Sequence, residues 1–314
     1  MAFTAANWIW HNGRVLPAAE ATTHVAAHAL HYGTAVFEGM RCYETEDGPA
    51  VFRSPEHWDR FFASAEAYGL AIPYARGELA AATAELIRRT GFRQCYIRPL
   101  CFAGAESLGL RVRNPVQTAI LAWPNLAHAA AEKAERGIRA TISPWRKFHA
   151  SMMPPTAKAS GHYLNSLLAA REAAARGFDE ALLLNLEGDL AEASVANIFL
   201  VQDGMLRTND SSASALRGIT QDSIVALARA EGIPVTIGPL RRDDLAAADE
   251  VFLTGTATQI LPVREVDNVA VGRGERGPLT ARLQRAFAEA TSGRDPRFRS
   301  WLKLVAEPGA ARSA

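Results

Sequence analysis

The sequence has little lysine and no excess of either charge. Lysine and arginine together number 34 against 33 aspartates and glutamates, which gives a formal net charge of +1. A nucleic-acid-binding protein needs a basic excess or a basic stripe for its phosphate contacts, so this balance argues against one. Only four of the basic residues are lysines: Lys133, Lys147, Lys158 and Lys303. A lysine in apolar surroundings therefore stands out.

Long apolar runs and paired cysteines are also missing. The longest apolar runs, 118–123 and 180–184, are far too short to span a bilayer. The first residues carry neither the basic nor the apolar segment of a secretory signal peptide. The three cysteines, Cys42, Cys95 and Cys101, show no paired spacing, which favours reduced thiols. We expect a soluble cytoplasmic protein with no membrane contact.

The length and the residue pattern predict two domains of mixed structure. A chain of 314 residues suggests about two domains, and 48% hydrophobic residues are enough for sizeable cores. Strand and helix patterns follow one another without a regular βαβ succession, so we predict an α+β fold. The boundaries expected are a small N-terminal α+β domain at 1–123, an interdomain linker at 124–137, a large domain at 138–306 and a disordered tail at 307–314.

The element predictions rest on turn signals and hydrophobic periodicity. Asn12-Gly13 between two short apolar runs predicts a tight hairpin. Helices are predicted at 54–68, 77–91, 161–177, 221–232 and 278–292. The main strands are predicted at 35–43, 50–53, 95–102, 116–123, 138–143, 180–185, 190–193, 197–202, 205–207, 250–254 and 259–266.

Lys158 is the first candidate for chemistry. Its neighbours from Met152 to Gly161 are small and uncharged. A lysine held in such surroundings loses hydration, which disfavours the ammonium form and makes the amine a usable nucleophile. The alternative is an ordinary surface lysine in a loop.

Three features could bind a phosphate group. Gly218-Ile219-Thr220 precedes a predicted helix, with Thr220 as the expected N-cap, and a helix N-terminus is a ready anion site. Gly255-Thr256-Ala257-Thr258 follows a predicted strand, where glycine permits close backbone approach. Arg60 could add a fixed positive charge. An ordinary cap, an ordinary turn and a solvated arginine are the corresponding alternatives.

A metal site and other catalytic motifs are disfavoured. His24, His28 and His31 would share one face of a helix, but no carboxylate or cysteine lies between them and strand residues follow. The sequence has no G-x-S-x-G elbow and no Walker motif, and its G-x-G-x-x-G match, Gly272 to Gly277, does not directly follow a predicted strand. These features argue against such hydrolases, ATPases and dinucleotide-dependent dehydrogenases, and we expect no metal.

Six motifs in order resemble a known enzyme family. They are HYGTAVFEGMRCY (His31–Tyr43), YIRPLCFAG (Tyr96–Gly104), AKASGHYLNS (Ala157–Ser166), DLAEASVANIFLV (Asp189–Val201), ALRGITQDSI (Ala215–Ile224) and GTATQILPV (Gly255–Val263). This set resembles the class IV pyridoxal-phosphate aminotransferases of fold type IV, and most closely their branched-chain amino acid type. The likeness extends from about Trp8 to Trp301. It implies a two-domain fold similar to that of D-amino acid aminotransferase, with the cofactor between the domains.

The resemblance implies a set of cofactor-binding residues. Lys158 matches the catalytic lysine that holds pyridoxal phosphate as a Schiff base and then carries the substrate α-proton. Glu192 matches the carboxylate that pairs with the pyridine nitrogen, and Tyr163 the phenol that bonds the 3′ oxygen. Leu216 matches the apolar residue packed on the ring. The phosphate cup implied is Arg60, Ile219, Thr220 and Thr256.

The resemblance also implies a substrate site, in which two residues of this chain differ from the family pattern. Tyr96, Thr256 and Ala257 match the group that receives the α-carboxylate. Tyr32 and Arg98 match the pair that also holds the distal carboxylate of glutamate, and Phe37 matches a wall of the side-chain pocket. Where relatives commonly carry aromatic residues, this chain has Asn125 and His128, which we expect to line a more polar pocket wall.

The activity implied is transamination of leucine, isoleucine and valine with 2-oxoglutarate, by a homodimer or larger homo-oligomer. In that assembly, the loop 105–114 would cover a neighbour's active site. Three alternatives stay open at this point: a transaminase for D-amino acids or (R)-amines, aminodeoxychorismate lyase, and a cofactor-binding protein without catalysis. Tyr32, Tyr96 and Arg98 count against the first, since they match the L-selective carboxylate arrangement.

Overall fold

The computed structural model describes residues 7–124 and 128–305, and of residues 128–131 only the backbone. The described chain divides into two compact units. Unit 1 holds residues 7–124, Ala159–Gly161 and residues 289–305, and unit 2 holds residues 128–158 and His162–Ala288. None of the described helices is long and apolar enough to cross a membrane.

Unit 1 contains the first seven strands of the chain. They are β1 (Trp8–His11), β2 (Arg14–Pro17), β3 (Ala35–Phe37), β4 (Met40–Thr45), β5 (Gly48–Phe52), β6 (Cys95–Ala103) and β7 (Val116–Pro124). The predicted hairpin at Asn12-Gly13 is confirmed, because β1 and β2 pair across it and both turn residues have positive φ, 47° and 88°. The helices are α1 (His28–Tyr32), α2 (Ser54–Ala67) and α3 (Arg76–Thr90).

Unit 2 contains the next nine strands and most of the remaining helices. The strands are β8 (Ile138–Ile142), β9 (Glu180–Leu184), β10 (Leu190–Ala193), β11 (Asn197–Gln202), β12 (Met205–Thr208), β13 (Val235–Ile237), β14 (Glu250–Gly255), β15 (Gln259–Val266) and β16 (Val269–Ala270). The helices are α4 (His128–Arg136), α5 (Tyr163–Ala175), α6 (Ile219–Ala230) and α7 (Pro278–Ser292), whose last four residues belong to unit 1. Across the two units, short 3₁₀ turns lie at Ala18–Glu20, Ser160–His162, Ser211–Ala213, Arg242–Leu245 and Pro296–Trp301. The last strand, β17 (Leu302–Leu304), belongs to unit 1.

Each unit is built on one sheet. In unit 1 the order is β17-β5-β4-β6-β7-β1-β2, with β3 pairing β6, and in unit 2 it is β10-β9-β8-β15-β14-β11-β12-β13, with β16 pairing β15. The second sheet is mixed, since β8 runs parallel to both β9 and β15. Fully buried side chains such as Met40, Phe61 and Ile97 form the core of unit 1, and Leu182, Ile198 and Leu253 lie in the core of unit 2.

The predicted strand at 35–43 is divided in two by Glu38-Gly39. Glu38 is fully buried, and its amide donates to the carbonyl of Pro99 at 2.9 Å. A Cβ on residue 39 would lie 1.9 Å from the Tyr96 hydroxyl oxygen, so the side chain of Tyr96 occupies the space beside this glycine. The break therefore places a carboxylate inside unit 1.

The domain boundaries predicted from composition remain a prediction. Unit 1 includes two segments distant in sequence, because β17 pairs with β5 and Ala159 forms a bridge with Val36. The segment expected to be a linker contains α4. The tail expected at 307–314 lies outside the described residues.

Candidate active site

Lys158 is held against a tyrosine at the start of α5. Its Nζ donates to the hydroxyl of Tyr163 at 2.6 Å, and both side chains are half-buried. Pro155 and Ala157, on the N-terminal side of the lysine, are buried. The amine is therefore fixed by a phenol in partly apolar surroundings, as a nucleophilic or proton-carrying lysine requires.

Glu192 is the anionic group of unit 2 that the resemblance assigns to the cofactor. It lies on β10 with its side chain 8% exposed, and its Oε1 contacts the Nζ of Lys147, which is 7% exposed. Its Oε2 accepts from the backbone N–H of Leu216 at 3.1 Å. Both carboxylate oxygens therefore have protein donors.

The start of α6 differs from the predicted one. The expectation that Thr220 caps this helix is wrong: α6 begins at Ile219 and its N-cap is Gly218. A Cβ at residue 218 would lie 1.9 Å from Oδ1 of Asn197, so a glycine is required there. Because glycine has no side chain, the N-cap residue offers no side-chain oxygen to the first N–H groups of the helix, those of Ile219 and Thr220 among them. These donors are available for an anion.

The second phosphate candidate is the turn between β14 and β15. β14 ends at Gly255 and β15 begins at Gln259, so Thr256 and Ala257 lie in the connecting turn. Thr256 is half-buried and Ala257 is exposed. Both therefore lie in a turn directly after a strand, and their binding roles stay a prediction.

Arg60 in unit 1 is paired with the buried Glu38. Its Nε and one terminal nitrogen donate to the two oxygens of that carboxylate at 2.6 and 2.9 Å, and Nδ1 of His57 lies 2.8 Å from Oε2. Burial alone would raise the pKa of Glu38, but the charge of Arg60 and the bond to His57 outweigh it and hold that pKa well below its usual range. The phosphate role of Arg60 stays a prediction.

Arg98 in unit 1 lies among aromatic rings. Its guanidinium carbon is 4.6 Å from the ring centre of Phe37, 5.4 Å from that of Tyr96 and 5.6 Å from that of Trp123. One terminal nitrogen donates to the Tyr96 hydroxyl at 3.3 Å, and the buried Nε has no hydrogen-bond partner in the described structure. Tyr32 is 44% exposed at the end of α1. A guanidinium with an unsatisfied buried N–H suits a carboxylate ligand.

The predicted residues at the more polar pocket wall cannot be placed. Asn125 lies outside the described residues, and His128 begins α4 with its side chain also outside them.

The three histidines weighed as metal ligands make local contacts. The ring nitrogens of His28 lie 2.8 Å from the Thr34 hydroxyl and 2.9 Å from the Gly109 carbonyl oxygen. Nε2 of His31 lies 3.0 Å from a backbone carbonyl oxygen, and His24 precedes α1, so the three do not share one helix face.

Sequence reasoning missed Lys147, Glu38 and Asn197. Lys147 is one of only four lysines, and that scarcity is the signal that could have identified it. Glu38 and Asn197 carried no such signal, because their partners Arg60 and Gly218 lie more than 20 residues away in the sequence.

We expect the free energy of unfolding of this protein to depend on pH because of His162, the residue before Tyr163. Burial, and then the charge of Lys147, lower its pKa to about 4, although a bond to the Ala157 backbone opposes the shift. Unfolded histidine titrates near 6.5, so the unfolded state takes up the proton first, and the free energy of unfolding should fall as pH drops from 6.5 to 4. The loss should be on the order of 3 kcal/mol. Urea unfolding across this range should give a shallower slope for His162→Gln, while the exposed control His24→Gln should keep the wild-type slope. Equal slopes for the wild type and both variants would contradict the assignment of this pH dependence to His162.

The side chains of unit 2 fit one cofactor. An amine held by a phenol suits an aldehyde, a carboxylate paired with a buried lysine suits a ring nitrogen, and a helix N-terminus capped by glycine suits a phosphate. This donor set is that of a pyridoxal-phosphate-dependent enzyme.

Comparison with known proteins identifies the family. Residues 35–266 match the family model for class IV aminotransferases, and the chain belongs to that family. It is 42% identical to a branched-chain-amino-acid aminotransferase of Escherichia coli K12, over 96% of this chain and 98% of that protein. It is 41% identical to the enzyme of that name from Pseudomonas aeruginosa, over 95% and 97%. The crystal structure of the branched-chain amino acid aminotransferase from Thermobaculum terrenum in its PLP form has a TM-score of 0.90 and 33% identity, over 96% of this chain and 99% of that one. The class IV fold expected from the motifs is therefore confirmed.

Proposed function

We propose that this protein transfers the amino group of leucine, isoleucine or valine to 2-oxoglutarate, giving the branched 2-oxo acid and L-glutamate. The hydrogen bond between Lys158 and Tyr163 carries the proposal, because it presents an amine in the geometry that the family chemistry needs. The relatives named for branched-chain amino acids match nearly the whole chain at 41–42% identity.

The roles of the protein side chains follow from their contacts. Bound pyridoxal phosphate supplies a carbonyl carbon that accepts the amino group and a ring that accepts electrons. Lys158 would hold the cofactor through Nζ, and its free amine would move a proton to and from the substrate α-carbon. Tyr163 would orient Nζ and hydrogen-bond the 3′ oxygen, while Glu192 would accept from the ring nitrogen. Leu216 would pack on the ring, Ile219, Thr220 and Thr256 would hold the phosphate, and Arg60 is also proposed as a phosphate ligand.

Each substrate carboxylate is assigned to a set of side chains that the resemblance implies. Tyr96, Thr256 and Ala257 receive the α-carboxylate, whereas Tyr32 and Arg98 receive the distal carboxylate of glutamate. The unsatisfied Nε of Arg98 supports this assignment. Phe37 provides an apolar wall for the branched side chain, and His128 is proposed at the more polar side of that pocket.

A homodimer or larger homo-oligomer is also proposed. α5 exposes Leu164, Leu167 and Leu168 at 65%, 42% and 44%, and this i, i+3, i+4 spacing places them on one face of the helix. A leucine face of this kind suits a second copy of the chain. Sedimentation velocity should show a species of at least twice 33.9 kDa, and a monomer at micromolar concentration would contradict the proposal.

A cytoplasmic location is proposed as well. Cys42, Cys95 and Cys101 are all free and buried, as expected in a reducing compartment. Fractionation of the producing cell tests the location, and recovery outside the cytoplasm would contradict it.

The visible spectrum of the purified holoenzyme tests the function. Titration with L-leucine and separately with L-glutamate should abolish the absorption band of the lysine-bound cofactor, because each amino acid transfers its amino group to it. Bleaching only by D-alanine or an (R)-amine would overturn the substrate assignment, and pyruvate release from aminodeoxychorismate without an acceptor would indicate the lyase. No cofactor band after adding pyridoxal phosphate would refute the whole proposal.

A further inference from the structure

Lys147 is a buried cation whose anionic partner is Glu192. Their side chains are 7% and 8% exposed, and the lysine Nζ contacts Oε1 of the carboxylate. The Phe148 ring centre lies 4.7 Å from Nζ, so an aromatic face also borders the ammonium group. An ion pair shielded from water in this way is costly to break on one side only.

Other parts of unit 2 also fix the position of the Glu192 carboxylate. Leu216 donates its N–H to Oε2 at 3.1 Å, and its carbonyl accepts from Nδ2 of Asn197 at 2.8 Å. The backbone N–H of Lys147 donates to the carbonyl of Leu184 on β9, which pairs with the strand carrying Glu192. The orientation of the carboxylate is therefore set by the protein before any cofactor binds.

His162 does not compete with Lys147 for this carboxylate. Its ring centre lies 4.5 Å from that of Phe148, and burial together with the charge of Lys147 lowers its pKa to about 4. The imidazole is therefore neutral near pH 7. Among the described residues, Lys147 is the positively charged side chain that contacts Glu192.

We propose that Lys147 is a positioning residue, which holds Glu192 as a charged, oriented acceptor for the ring nitrogen of pyridoxal phosphate. This inference rests on the proposed function. Each carboxylate oxygen offers about two acceptor positions, so the two protein donors leave capacity for a third. Without the ammonium group, Oε1 loses the contact that orients it, and the carboxylate is no longer held as a fixed acceptor.

The test compares the affinity of cofactor-free enzyme for two cofactors. One is pyridoxal phosphate, and the other is its analogue with a carbon in place of the ring nitrogen, which Glu192 cannot bind. Lys147→Met should bind pyridoxal phosphate at least about tenfold more weakly, as expected for loss of a hydrogen bond to a charged group. Its affinity for the analogue should stay within about threefold of the wild type. Quenching of tryptophan fluorescence gives both dissociation constants.

Two further variants complete the comparison. Lys147→Arg keeps the charge and should bind pyridoxal phosphate within about threefold of the wild type. Lys133→Met removes an exposed lysine with its own acidic partner, Asp179, and should leave both affinities unchanged. If Lys147→Met does not fold, Lys147→Gln replaces it, with the same outcomes expected.

Two results would overturn the inference. If Lys147→Met binds both cofactors equally more weakly, Lys147 only supports the local structure. If it binds pyridoxal phosphate as tightly as the wild type or more tightly, Glu192 accepts from the ring nitrogen without Lys147. Neither readout depends on turnover. A wild-type enzyme that binds the cofactor but does not act on leucine would therefore refute the proposed function and leave this test intact.

Discussion

Lys158→Ala should reduce transamination between L-leucine and 2-oxoglutarate by at least about a thousandfold. In the proposed mechanism, the variant lacks the amine that binds the cofactor covalently and moves the α-proton. The Tyr163 hydroxyl, which accepts from Nζ at 2.6 Å, would have no base to orient. The absorption band of the lysine-bound cofactor should be absent, although pyridoxal phosphate should still bind through its phosphate and ring contacts.

Lys133→Ala is the matched control for this variant. Lys133 is 56% exposed and forms an ion pair with Asp179, so its loss should change neither the band nor the rate. Added methylamine should restore part of the Lys158→Ala rate, since a small amine can carry the proton in place of Nζ. A Lys158→Ala enzyme with the wild-type rate would remove this lysine from the mechanism.

Local residue patterns were sufficient for most of the secondary structure. The hairpin at Asn12-Gly13 follows from turn chemistry, and the predicted helix at 77–91 is observed as α3, from Arg76 to Thr90. Glycine, proline and apolar spacing act over a few residues, so the sequence reveals their effect directly. The N-cap of α6 was misplaced because Gly218 is required by a contact with Asn197, 21 residues away in the sequence.

The sequence pointed to candidate site residues but not to the charged groups that pair with them. Motif resemblance pointed to Glu192 and Arg60, whereas their partners come from distant parts of the chain. Lys147 precedes Glu192 by 45 residues, and Glu38 precedes Arg60 by 22. Such pairs form only when the tertiary structure brings strands and loops together, so neither periodicity nor spacing encodes them.

Glu192→Gln should slow leucine turnover by about a hundredfold while the cofactor remains bound. The neutral amide cannot stabilise a protonated ring nitrogen as a carboxylate can, so removal of the α-proton becomes harder. Leucine deuterated at the α-carbon should then show a larger isotope effect on kcat than it does with the wild type. An unchanged rate and isotope effect would mean that the ring nitrogen has another partner.

The same substitution should also destabilise the protein, and the two effects can be separated. Glu192→Gln leaves Lys147 as a buried cation without its carboxylate. Removing one member of such a buried pair costs about 3–5 kcal/mol, whereas replacing both members is often nearly neutral. The double variant Lys147→Met/Glu192→Gln should therefore recover most of the free energy of unfolding in urea while its turnover stays low. Recovery of turnover along with stability would show that the slow rate of Glu192→Gln came from misfolding, and that the charge of Glu192 is not needed for the reaction.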